Sequence, residues 1–232
     1  MFQRQKKLLK KHETTKLFYN KYLYRLGIYN PIASIFRHKN FAYASTVLDK
    51  LQSHYEDGLP LEVTYVMRKQ PVRVNDFLDA QILYNELSRY TEDYLLRIES
   101  STICVYSNDK DWLKRLSYKL KNRKDFTEPQ AELVEFLRNN TNTIIVDDNF
   151  GFEFKITLGN NRCPPTFADW LETNRDKIKV TNQLIEDIRR GNYVSSRYFY
   201  VRSENVLMLV KLIILDNMQR VDKLVSKQDI DK

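Results

Sequence analysis

Five glycines in 232 residues, at positions 27, 58, 151, 159 and 191, limit what this chain can fold into. A share of about 7% is ordinary, so backbone freedom is scarce here. Loops of the G-x-x-x-x-G-K-[ST] or G-x-G-x-x-G kind need glycines at close, fixed spacing so that the backbone can approach phosphates, and no pair here meets that spacing. A P-loop NTPase and a Rossmann oxidoreductase are therefore excluded. His12, His38, His54, Cys104 and Cys163 never fall at zinc-ligand intervals, and no G-x-S-x-G elbow is present.

The formal net charge of +8 is unevenly distributed. Residues 1–39 hold ten basic side chains (Arg4, Lys6, Lys7, Lys10, Lys11, Lys16, Lys21, Arg25, Arg37 and Lys39) against Glu13 alone, so the rest of the chain is near neutral. Such a segment on an otherwise ordinary domain points to an anionic partner, most often nucleic acid. Residues 1–16 read as an exposed basic arm, with too few apolar positions for a packed face. They carry no apolar core of a secretory signal, and the longest apolar run, near Val206–Leu215, is about half a membrane span. No transmembrane segment and a cytoplasmic setting are expected. Two cysteines in such a chain suggest free thiols in a reducing compartment, with Cys104 as a small buried hydrophobe.

Hydrophobic periodicity alternates between strand and helix. Strands are expected over 22–29, 61–67, 94–98, 102–106, 143–146, 152–158, 197–201 and 221–225, the pair 143–146 and 152–158 as a hairpin around Asp148-Asn149-Phe150-Gly151. Helices are expected over 41–55, from Asn75 or Asp76 to 90, 109–124, 129–138, 167–174, 181–190 and 203–215, with Ser203 as a cap. The fold class is α+β, a mixed or antiparallel sheet with packed helices. Ferredoxin-like βαβ units are the candidate arrangement. An internal echo supports duplication: Val105-Tyr106-Ser107 and Val201-Arg202-Ser203 each end a strand and lead at once into a helix. The expected organisation is an arm (1–16), a globular region (17–225) with two subdomains meeting near residue 100, and a frayed tail (226–232).

Three candidate sites follow. The arm and the segment after it interleave Lys16, Lys21 and Arg25 with Phe18, Tyr19, Tyr22, Tyr24 and Tyr29, a mixture suited to phosphates and unpaired bases. On a helix over 109–124, Lys110, Lys114, Lys121 and Lys124 would share one stripe of a single sign. Finally, Asp147, Asp148, Glu153 and Lys155 resemble the carboxylates and lysine of a metal-dependent nuclease, with Asp148, Glu153 and Lys155 as its catalytic candidates.

The leading expectation is a non-catalytic nucleic-acid-binding protein of low sequence specificity. Its contacts would be Arg4, Lys6, Lys7, Lys10, Lys11, Lys16, Lys21, Arg25, Lys110, Lys114, Lys121 and Lys124. The alternatives are a viral or phage assembly protein, whose arm meets packaged nucleic acid or an acidic subunit and which forms a homo-oligomer, and the nuclease. The first alternative fits a composition rich in Lys, Asn, Tyr, Ile and Phe, as AT-rich genomes encode, and would place the chain in host cytoplasm or virion. No cofactor is expected outside the nuclease reading, which requires Mg²⁺.

Overall fold

The structure, a computed structural model, describes residues 9–65 and 68–230. The chain divides into two compact units, one of residues 9–14 and Lys21–Val134, the other of Thr15–Asn20 and residues 135–230.

The first unit runs β1 (Lys10–Glu13), β2 (Tyr24–Tyr29), α1 (Phe41–Glu56), β3 (Glu62–Tyr65), β4 (Arg68–Pro71), α2 (Val74–Arg89), β5 (Tyr94–Glu99), β6 (Thr102–Ser107), α3 (Lys110–Lys119) and β7 (Arg123–Glu128). Its sheet has the order β1-β7-β2-β6-β5. All neighbours are antiparallel except β1, which runs parallel to β7. Numbering β2, β5, β6 and β7 as strands one to four gives the order 4-1-3-2 of the split βαβ fold, with β1 added at the outer edge. One sheet face is apolar: Leu26, Ile28, Ile103, Val105 and Phe126 are buried with Leu51, Phe77, Leu83, Leu113 and Leu116 of the helices.

The second unit follows α4 (Val134–Asn139) with β8 (Thr143–Val146), β9 (Phe154–Leu158), α5 (Pro165–Thr173), β10 (Ile178–Lys179), α6 (Asn182–Arg189), β11 (Tyr198–Val201), α7 (Glu204–Ile214), β12 (Met218–Ser226) and α8 (Lys227–Ile230). Its sheet order is β10-β11-β9-β12-β8, with β8 parallel to β12 and the rest antiparallel. With β9, β10, β11 and β12 as strands one to four, this is again 4-1-3-2 plus a parallel outer strand. The chain therefore builds one topology twice, and the Val-x-Ser echo falls at the same place in both, the end of strand three. The core gathers Ile156, Leu158, Phe167, Leu171, Ile185, Ile188, Phe199, Val201 and Val210. Thr181 Oγ1 accepts from the Leu184 amide to start α6, and Gly191, at φ +70°, lets the chain leave it.

The α+β class expected from the sequence is the one observed, with six corrections in detail. Lys10–Glu13 is a strand and no free arm: this edge strand is held by its backbone pairing with β7, with Glu13 also accepting from Gln130 Nε2 at 2.6 Å, so its exposed Lys-Lys-His-Glu side chains carry no apolar signal. Arg4, Lys6 and Lys7 lie outside the described residues, as do Val66 and Met67. The units divide at Val134, not near residue 100. The helix expected over 109–124 ends at Lys119 because the buried Asp79 carboxylate accepts from the backbone amides of Lys121 (2.9 Å) and Asn122 (2.8 Å) and draws the chain into β7. Strands β8 and β9 form no hairpin, since β12 lies between them. Residues 227–230 form a helical turn rather than a frayed tail, and Ser203 occupies the cap position of α7 without a side-chain capping bond.

Candidate nucleic-acid interface

A strand presents alternate residues to opposite faces, and directly paired residues on neighbouring strands share a face. In the second unit this rule sorts the sheet cleanly. The pairings Ile178↔Val201 and Phe199↔Ile156 face the core. The opposite face carries one rung of Lys179, Tyr200, Lys155 and Asp222 and a second of Tyr198, Thr157 and Arg220.

Aromatic rings and cations are interleaved on this face. Tyr198 is 48% exposed and meets Tyr200 edge to face, centroids 5.6 Å apart. Lys155 Nζ lies 3.9 Å from the centre of the Tyr198 ring. Phe152 packs against Tyr200 at 6.5 Å and carries the Arg202 guanidinium at 5.6 Å. Asp222 is buried and accepts from Arg220 Nε at 2.8 Å, anchoring one cation from below. Burial, together with the positive charges of Lys16 and Arg220, holds the Lys155 ammonium below the usual lysine value of 10.5, against the opposing pull of Asp222. Lys16 belongs to this unit through its bridge to Ile144. Five cations, Lys16, Lys155, Lys179, Arg202 and Arg220, against the buried Asp222 and the exposed Glu153, which alternates with Lys155 onto the same side, leave the face net positive, and the tyrosines give it flat π surfaces.

At its end the face opens into a cavity of about 160 Å³ lined by Val146, Asp148, Asn149, Phe150, Phe152, Lys179, Tyr200 and Leu224.

The expected contacts are dispersed by contrast. Lys10 and Lys11 stand exposed on the outer edge of the first sheet. Lys21 pairs with Asp93 at 2.6 Å, Arg25 with Asp125 at 3.0 Å and Lys110 with Glu128 at 2.5 Å, so each of these cations is met by a carboxylate. Lys121 donates to Asn75 from the loop after α3, and Lys124 sits on β7, so the single-sign stripe does not form. The nuclease constellation is also broken up. Asp147 pairs with Lys227, Asp148 accepts from the Phe150 amide within its own turn, and Lys155 is turned to Tyr198. Among the described residues, no three His, Cys, Asp or Glu side chains converge as metal ligands. Cys104 and Cys163 are both free and buried, and burial pushes the Cys163 thiol up.

Sequence reasoning missed Tyr198, Tyr200, Lys179 and Arg220. Their signal is the stretch Tyr198-Phe199-Tyr200-Val201, in which an aromatic stripe alternates with buried apolar residues. No family model, curated protein or solved structure matches the chain.

Proposed function

We propose that the protein binds single-stranded nucleic acid on the aromatic and cationic face of its second sheet. The observation that carries this reading is Tyr198 and Tyr200 side by side on one strand, with Lys155, Lys179 and Arg220 among them. Unpaired bases stack on aromatic faces, while Lys and Arg neutralise the phosphates between them. A duplex, whose bases are already stacked on each other, gains only the electrostatic part. Lys10 and Lys11, with the basic residues before them, add a sequence-independent attraction. The test is binding of labelled single-stranded and duplex DNA and RNA across a salt series. Expected are tighter binding of single strands, a steep loss with salt and intact oligonucleotide. Equal binding of duplex and single strand, or an affinity flat in salt, contradicts the reading.

A second reading, self-assembly, is favoured by α7. Met208, Leu209, Leu212 and Leu215 on and just after this helix are all at least half exposed, rimmed by Glu204, Lys211 and Asp216. An apolar stripe with a rim of both signs suits a second copy of the same chain. Leu212→Glu would then convert a dimer to a monomer in light scattering; a wild type that is already monomeric contradicts it. Among the described residues, no helix is long and apolar enough to cross a membrane.

A further inference from the structure

The cavity at the end of the aromatic face has the chemistry to choose between bases. Its volume of about 160 Å³ is in the range that accepts one aromatic ring, since a cavity of about 150 Å³ takes up benzene. The walls are three aromatic rings, Phe150, Phe152 and Tyr200, with Val146 and Leu224 completing the apolar part. The polar groups are few and of opposite character. Asp148 uses Oδ1 to accept from the Phe150 amide at 2.7 Å, which fixes the turn and leaves Oδ2 as an acceptor at the rim. Lys179 brings a donor, steered by its position 5.3 Å from the centre of the Phe150 ring.

We propose that this cavity holds one unpaired cytosine of the bound strand, a specificity that rests on the single-strand reading above. A one-ring base fits the volume. Its N4 amino group donates to Asp148, while Lys179 donates to the O2 or N3 acceptors on the same edge. Thymine and uracil turn O4 toward the carboxylate in place of an amino group, so acceptor faces acceptor.

The experiment compares oligo(dC), oligo(dT) and oligo(dA) of equal length with the full chain at one salt concentration. Oligo(dC) is expected to bind about tenfold more tightly than oligo(dT). Asp148→Asn keeps the Oδ1 acceptor of the turn but offers an amide donor at the rim, and is expected to erase or reverse the preference. Lys179→Gln, which leaves the turn untouched, is expected to reduce it about threefold. Equal affinity for oligo(dC) and oligo(dT), or a preference unchanged in Asp148→Asn, overturns the pocket and leaves the interface standing. Absence of binding to all three removes pocket and interface together.

Discussion

In the first unit the rung Arg97, Cys104, Gly27 and Asp125 occupies the sheet position that Lys179, Tyr200, Lys155 and Asp222 occupy in the second. Both rungs end on a buried aspartate of strand four. What differs is strand one. Gly27 leaves room for the Asp125 carboxylate, and a Cβ there would lie 2.6 Å from Asp125 Oδ1. Arg25 reaches in to pair with that carboxylate, while Cys104 and Tyr106 are 0% and 5% exposed beside it. In the second unit a lysine takes the glycine's place, a tyrosine replaces the cysteine, and the neighbouring Tyr198 is exposed. The same scaffold thus ends in a closed, internally neutralised face in one unit and an aromatic, positively charged one in the other. The choice at one position of strand one, glycine or lysine, accompanies the difference.

The largest effect should come from breaking the neutralised face. Asp125→Ala strands the mostly buried Arg25 without its carboxylate and is expected to cost about 2–3 kcal/mol of stability in chemical denaturation. Oligonucleotide affinity should be unchanged in the fraction that remains folded. Next come the aromatic side chains of the other face. Tyr198→Ala and Tyr200→Ala are each expected to weaken single-strand binding by about 1–3 kcal/mol in fluorescence anisotropy, whereas Tyr106→Phe in the first unit should leave it unaltered. Equal losses from both units would erase the distinction.

Gly27→Ala tests the close approach directly. With the Asp125 side chain pinned by Arg25, the added methyl is expected to lower stability by about 1–2 kcal/mol, measured as a shift in denaturation midpoint. The smallest effect concerns Lys155. Its pKa lies below the usual lysine value, so raising the pH removes its proton before those of solvent-exposed lysines. Affinity should therefore begin to fall at a pH below 10.5, by about 1 kcal/mol or less. Lys155→Arg, which keeps its charge, should delay that fall. Identical alkaline profiles for the two proteins would remove Lys155 from the contact.

The fold was legible in the chain wherever side chains alternate against a core. Tyr24–Tyr29 and Phe154–Leu158 carry that alternation, Thr102–Ser107 reads as a short apolar run buried on both sides, and the Val-x-Ser echo marks the repeat correctly. It was illegible where backbone pairing without apolar side chains decides, as at Lys10–Glu13, and where a distant side chain ends an element, as Asp79 ends α3. The candidate interface was hidden for a related reason. Counting cations along the sequence weighs Lys21, Arg25 and Lys110 equally with Lys155 and Lys179, yet the first three are met by carboxylates from elsewhere in the chain. Only the strand pairings reveal which cations stand beside exposed rings.

The placement of β12 between β8 and β9 has a consequence for biosynthesis. The sheet of the first unit holds all its strands once residue 128 has been made. The second sheet can pair β9, β10 and β11 earlier, but it cannot take in β8 until Met218–Ser226 arrives, because β9 and β8 meet only through that strand. While a ribosome is still adding these residues, Thr143–Val146 and Phe154–Leu158 wait with open edges, about seventy residues behind the strand that will join them. The half of the molecule that carries the proposed interface is therefore the last to close, and a nascent chain interrupted before Met218 would emerge with its first sheet complete and its second lacking Arg220, Asp222 and the strand that joins β8.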